Sequence, residues 1–178
     1  MSIGGIAQYC LRAGTFAAVV CAAYALICLL RGRVLRLRRL LGIAYLAALL
    51  QITVIRGGVD YVAVLRGVRE APQLIPLHTT LEALRQGAWP LIYHVAGNLV
   101  WFVPLGWMCA RRGVCAALLA GAGLSAAIEL MQYLMMTGMT DVDDVLLNAS
   151  GALLGWLLAR GYRCLTARRR EEKEAEMQ

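Results

Sequence analysis

Charged residues are scarce in this sequence. Of its 178 residues only 16% are charged and 60% are hydrophobic, and the mean hydropathy is +0.63. A soluble domain of this size would be about one quarter charged and roughly half apolar. The shortage of charge therefore disfavours a soluble protein and indicates a chain that is surrounded by lipid.

The sequence also lacks linkers, repeats and cysteine pairs. Its 4 prolines and 18 glycines form no run and no segment recurs, so we expect a single domain over residues 1–178. No CxxC pair is present, and the cysteines lie mostly inside or at the ends of apolar segments, as small buried hydrophobic residues do. They are Cys10, Cys21, Cys28, Cys109, Cys115 and Cys164.

Five apolar stretches are long enough, or nearly long enough, to cross a bilayer, which takes about 20 residues. They occupy roughly residues 10–30, 40–55, 90–110, 114–136 and 145–163. The first is too long for the apolar core of a signal peptide, so we expect it to remain as a span. The sequence predicts an all-α integral membrane bundle with about five transmembrane helices, or four if the first is not a span.

The basic residues indicate how the spans are oriented. They cluster beside apolar segments rather than along a soluble face, so the net charge of +7 does not indicate a nucleic-acid partner. With alternating spans, 13 of the 18 Lys and Arg residues fall on one side of the membrane. Because an excess of positive charge marks the cytoplasmic side, we expect a multi-pass protein of the cell membrane with a charged cytoplasmic tail over about 164–178.

Polar side chains recur at helical spacing near the external ends of the last three spans. A carboxylate in hydrocarbon costs at least about 2.5 kcal/mol on insertion scales, so such groups normally face a bundle interior or a wet cavity. Spacings of three and four residues place each set on one face of its helix. We therefore expect an outward-open polar pocket lined by His94, Asn98, Glu129, Gln132, Asp141, Asp144 and Asn148.

These polar residues also have structural explanations. His94 could be an interfacial histidine, Gln132 could link two helices, and Asn98 could cap free helix carbonyls. Acidic residues are favoured in a first helical turn because the helix dipole is positive there. Glu129 is harder to explain in this way, since a buried carboxylate needs a partner or a proton. Asp143 lies on a different helical face from the other two aspartates, and we expect it to be solvated.

Other residues predict how the helices pack. Gly151 and Gly155 form a small-xxx-small pair, which lets a neighbouring helix approach closely, and Pro104 should kink its span. The external loop over residues 56–89 contains leucines at helical spacing. It predicts a short amphipathic helix, capped by Thr79 or Thr80, that lies on the membrane surface and partly covers the pocket.

Four segments of the chain resemble the VanZ-like membrane protein family in their order and spacing. They are "LIPL" at 74–77, "NLVWFVPLGW" at 98–107, "IELMQ" at 128–132 and "DVDDVLLNASGALLGW" at 141–156. The resemblance covers a core of about residues 40–160, and it leaves the span at about 10–30 as an N-terminal addition.

The resemblance implies an integral membrane protein of the bacterial cell envelope, since the founding member is an accessory factor for resistance to the glycopeptide teicoplanin. It also implies an arginine shortly before the aspartates, where this chain has Gly138. The contribution of that arginine is either absent here or supplied elsewhere, for example by Arg85.

Three functions fit these observations. The first is a non-enzymatic envelope factor that influences glycopeptide susceptibility when its pocket binds an envelope lipid, a lipid-linked cell-wall precursor or a partner protein. The second is a metal-dependent hydrolase or transferase of a lipid-linked substrate. His94 would be its acid or base, and Glu129, Asp141 and Asp144 would bind a divalent cation. The sequence has no HExxH motif, GxSxG motif or phosphate-clamping arginine cluster that would support this function. The third, a proton-coupled transporter using Glu129, lacks the usual internal repeat.

Overall fold

The computed structural model describes residues 3–55, 64–65, 67 and 71–177. Within those residues the fold is helical, as the sequence predicts, and Gln73 and Asp141 form an isolated parallel bridge. The named helices are α1 (Ile3–Leu30), α2 (Leu37–Thr53), α3 (His78–Gln86), α4 (Ala88–Met108), α5 (Val114–Met135) and α6 (Val142–Glu176). Three basic residues used in the orientation argument lie outside the described residues: Arg56, Arg66 and Arg69.

Four helices in the described part of the chain are long and apolar enough to cross a membrane. They cover Leu11–Leu30, Ala88–Met108, Val114–Met135 and Val142–Ala175. The second predicted stretch falls short, because α2 has 17 residues. At about 1.5 Å per residue it is roughly 25 Å long, which is less than a hydrocarbon core of about 30 Å.

Large apolar side chains are exposed along these helices. Leu29, Leu119 and Leu158 are 76%, 74% and 50% exposed. A soluble protein rarely leaves such extended apolar surface in water, whereas lipid contact costs these side chains nothing. Their exposure agrees with helices that lie in a bilayer.

The chain contacts define two compact units. The first comprises residues 1–70 and 131–139, and the second comprises residues 71–130 and 140–178. In the first unit α1 packs on α2, and the Nε2 of Gln132 donates a 3.0 Å hydrogen bond to the backbone carbonyl of Thr53. The assignment of residues 1–178 to one domain stays a prediction.

In the second unit α4 and α6 run in parallel and pack backbone against backbone. A Cβ atom added at Gly151 would lie 2.1 Å from the carbonyl oxygen of Leu99, and one at Gly155 would lie 1.9 Å from that of Val103. The two glycines therefore allow the close helix approach that their spacing predicts.

A glycine on α4 contributes to the same close approach. A Cβ atom at Gly106 would lie 1.8 Å from the carbonyl oxygen of Ala152. Gly106 follows Pro104 closely, and α4 continues through that proline to Met108. Small residues on both helices thus hold α4 and α6 together, and this fixes the position of the polar side chains near their N-termini.

Candidate functional site

The start of α6 is tied to α5 by two buried carboxylates. Asp141 is the N-cap of α6, and its Oδ1 accepts a 2.9 Å hydrogen bond from the backbone N–H of Asp143. The backbone N–H of Asp141 donates in turn to Oε2 of Glu129 at 2.8 Å. Asp141 and Glu129 are only 4% and 5% exposed. Both predicted pocket carboxylates therefore have structural partners at this junction.

Asp143 is buried rather than solvated, so that expectation is wrong. It is 1% exposed, and its carboxylate accepts hydrogen bonds from the backbone N–H groups of Leu77 and Thr80. The hydroxyl of Thr80 donates to the same carboxylate at 2.9 Å. Asp143 is buried because Leu77 and Thr80, at the start of α3, lie over the face of α6 that carries it.

This contact also replaces the cap that was expected for α3. The N-cap residue of α3 is Leu77, which has no side-chain cap, and Thr80 lies within the helix. Leu77 has a φ of 63°, in the left-handed region. That conformation is unusual for a bulky residue and costs on the order of 1–3 kcal/mol. Asp143 holds it in place by accepting the Leu77 N–H, so α6 supplies the cap of α3.

The residues before α3 are also hydrogen-bonded to the start of α6. The backbone N–H of Gln73 donates to the carbonyl of Thr140 at 2.8 Å, and the N–H of Val142 donates to the carbonyl of Gln73 at 3.0 Å. The side chain of Gln73 also lies 2.9 Å from Nδ1 of His78. The entry to α3 and the acidic start of α6 thus form one hydrogen-bonded junction.

Four polar side chains from α3, α4 and α6 meet beside this junction, and we call them the Asp144 cluster: Thr80, His94, Asn98 and Asp144. The Nδ2 of Asn98 donates to Oδ1 of Asp144 at 2.6 Å. His94 has Nδ1 3.9 Å from the same oxygen and Nε2 3.3 Å from the hydroxyl of Thr80. The side chains of His94 and Asp144 are 15% and 25% exposed. The cluster is therefore largely enclosed, and the side chain of Asp144 is more exposed than that of His94.

The remaining predicted pocket residues lie elsewhere. The Nδ2 of Asn148 donates to Oγ of Ser125 at 2.7 Å and so links α6 to α5. Its Oδ1 has no hydrogen-bond partner among the described residues. Gln132 belongs to the other unit, where it bonds Thr53. Of the seven predicted residues, the structure thus brings three into the Asp144 cluster: His94, Asn98 and Asp144.

Two partners in this region were missed from the sequence. Ser125 lies four residues before Glu129, on the same face of α5, and that spacing could have identified it. Thr80 was expected as a helix cap, and its contact with Asp143 could not be predicted because 63 positions separate the two residues. Such long-range contacts depend on the fold and are not encoded in a local pattern.

The described residues contain no group of three His, Cys, Asp or Glu side chains that could hold a metal ion. The cation site suggested for Glu129, Asp141 and Asp144 thus stays a prediction, and these three side chains do not form such a group. Arg85 lies 3.6 Å from Glu82 in an exposed pair on α3. Within the part of the chain that the structure describes, Arg85 makes no hydrogen bond or ion pair with the Asp144 cluster.

The apolar helices and the polar junction between them define a multi-pass membrane protein. The model of the VanZ/LLP1 family matches residues 42–165, which is most of the chain, and the protein belongs to that family. The match spans the ends of α4, α5 and α6 that form the junction. A search of the curated proteins and a search of the solved structures each gave no match.

Proposed function

We propose that this protein is an accessory factor of the bacterial cell envelope that binds a lipid-linked ligand at the Asp144 cluster and thereby alters susceptibility to teicoplanin-type glycopeptides. Membership of the VanZ/LLP1 family supports a role in the membrane. The observation that carries the proposal is the partly exposed side chain of Asp144, which lies beside the amide of Asn98 and the imidazole of His94 at one end of apolar helices.

The chemistry of the cluster favours a ligand that donates hydrogen bonds. Oδ1 of Asp144 accepts from Asn98, while Oδ2 has no partner among the described residues. An ionised carboxylate only accepts hydrogen bonds, and it binds N–H, O–H and ammonium groups most strongly. The sugar hydroxyls and peptide N–H groups of a lipid-linked cell-wall precursor fit this requirement, whereas a phosphate group would be repelled.

The surroundings of the cluster favour a ligand that arrives from the bilayer. Three leucines of the α3 segment, Leu77, Leu81 and Leu84, are 55%, 50% and 54% exposed. Trp89, at the start of α4, is 81% exposed. An amphipathic helix with an exposed apolar face and a nearby tryptophan is typical of the membrane interface. The excess of basic residues at the other end of these helices supports an external position for the cluster, with a cytoplasmic C-terminus.

The experiment that tests this function is complementation of a strain that lacks the protein. We expect deletion to change the teicoplanin susceptibility of the bacterium, and wild type to restore it. Asp144→Asn should fail to restore it, because it removes the charge that attracts donors. Glu82→Gln is the matched control, since it makes the same chemical change on α3 outside the cluster. Unchanged susceptibility on deletion, or full complementation by Asp144→Asn, would refute the proposal.

The position of His94 supports a second candidate, a hydrolase or transferase acting on a lipid-linked substrate. The imidazole lies between the carboxylate of Asp144 and the hydroxyl of Thr80, an order of groups suited to acid–base catalysis. The hydroxyl of Thr80 already donates to Asp143, so His94 acting on a bound substrate or water fits better than Thr80 as nucleophile. Turnover of a polyprenyl-linked sugar by wild type, lost in His94→Gln, would establish this function.

A further inference from the structure

We propose that a basic groove in the second unit binds the phosphate of an anionic membrane lipid. The groove has a volume of about 480 Å³, and its lining includes Arg111, Gly113, Trp156, Arg160 and Arg163. These residues come from the turn between α4 and α5 and from the middle of α6. The sequence alone did not show this group of arginines, because Arg111 and Arg160 are far apart in the chain and meet only in the fold.

Two of the three arginines of the groove, Arg163 and Arg160, have defined contacts. Nη2 of Arg163 donates to the carbonyl of Ala110 at 2.5 Å, and its Nε donates to the carbonyl of Ala159 at 3.3 Å. Arg163 thereby joins α6 to the turn that carries Arg111. The guanidinium of Arg160 lies 5.3 Å from the centroid of the Trp156 ring, which favours a cation–π contact.

The positive charge of the groove is uncompensated. In the part of the chain that the structure describes, the close contacts between basic and acidic side chains are those of Arg85 with Glu82 and of His94 with Asp144, and neither involves the groove. The indole Nε1 of Trp156 is buried and has no hydrogen-bond partner among the described residues. Arg111 and Arg160 therefore line the groove without an ion-pair partner among the described residues.

Phosphate is the anion that this arrangement fits. Guanidinium groups bind phosphate oxygens with paired, charge-assisted hydrogen bonds. Helix α5 begins at Val114, directly after Gly113 in the groove lining, and the N-terminus of a helix attracts anions. Neither feature depends on the Asp144 cluster, which lies roughly 24 Å away along α6 at about 1.5 Å per residue.

The position of the groove along the membrane normal favours a lipid as the source of the phosphate. The turn between Met108 and Val114 marks the end of two apolar helices, and Tyr162 lies roughly 30 Å along α6 from Val142. The rings of Trp107 and Tyr162 have centroids 5.8 Å apart at this level. Aromatic residues mark the interface of a membrane, which is where lipid phosphates lie.

The test is native mass spectrometry of the full chain titrated with dioleoylphosphatidylglycerol or dioleoylphosphatidylcholine. We expect wild type to bind one phosphatidylglycerol in preference to phosphatidylcholine. Each basic residue near an anionic surface contributes about fivefold to binding, so Arg111→Gln with Arg160→Gln should weaken phosphatidylglycerol binding by about 25-fold. Arg168→Gln with Arg169→Gln removes the same charge from α6 outside the groove lining, and should weaken binding by less than about threefold. Arg163 is left unchanged because it holds the turn.

Three results would overturn the proposal. The first is equal binding of phosphatidylglycerol by wild type and the groove variant, and the second is an equal loss in the groove and control variants. The third is binding of inorganic phosphate that depends on Arg111 and Arg160 without any preference for phosphatidylglycerol, which would make the ligand free phosphate. If the double variant does not fold, as judged by its melting temperature, the two single variants should each show a loss of about fivefold.

Discussion

The close packing of α4 on α6 makes Gly155→Ala the most informative stability test. The new Cβ atom would lie 1.9 Å from the carbonyl oxygen of Val103 and 3.0 Å from the backbone nitrogen of Trp107. Real Cβ atoms essentially never come within 3.0 Å of such atoms. The neighbouring atoms are backbone and cannot rotate away, so the two helices must separate by about 1 Å or more.

The expected cost is the difference between two opposing effects. Overpacking of this kind destabilises a protein by typically about 1–3 kcal/mol, whereas alanine is favoured over glycine within a helix by up to about 1 kcal/mol. We expect Gly155→Ala to lose about 1–2 kcal/mol relative to wild type. For a chain of this length that corresponds to a fall in Tm of roughly 2–8 °C, measurable by thermal unfolding of the purified protein in detergent.

Gly161→Ala is the matched control on the same helix. A Cβ atom at Gly161 meets nothing within 4 Å, so this variant receives only the helix-propensity gain and should melt at or slightly above the wild-type temperature. If Gly155→Ala and Gly161→Ala melt at the same temperature, the close contact between α4 and α6 is not part of the folded protein in detergent, and the packing argument fails.

Two further predictions concern the hydrogen bonds around the start of α6. Asp143→Ala leaves three donors in the α3 segment without their acceptor, and each buried donor without a partner costs about 1–3 kcal/mol. We expect faster amide hydrogen exchange over His78–Gln86. Unchanged protection there would contradict the capping role. Asn148→Ala and Ser125→Ala should each destabilise the protein. A double-mutant cycle built on free energies of unfolding should give a coupling energy of about 1 kcal/mol between the two residues. Additive effects would show that the pair does not interact.

Local patterns were sufficient to predict the helices. Four of the five predicted apolar runs are candidate spans in the described residues, because a helix is the simplest way to satisfy backbone hydrogen bonds in lipid. The second stretch fell short by length alone, since it ends at Thr53 after 17 residues. The glycine spacing of α6 also predicted a close helix contact, because only small residues permit it.

The contacts of the site were harder to predict. Helical spacing correctly placed His94 and Asn98 on one face of α4, and both meet Asp144. It failed for Asp143, because the residues that cover that carboxylate lie more than 60 positions earlier in the chain. The sequence thus identified candidate polar groups, and only the fold showed which of them support the junction and which remain accessible.

The central claim is that the Asp144 cluster binds a lipid-linked ligand, and native mass spectrometry of the purified protein tests it most directly. We expect wild type and Glu82→Gln to retain an envelope lipid or lipid-linked precursor, and Asp144→Asn to lose it while keeping its melting temperature and its binding of phosphatidylglycerol. A wild-type protein that carries no such ligand, or an Asp144→Asn variant that retains it equally, would contradict the claim and leave the cluster with a purely structural role.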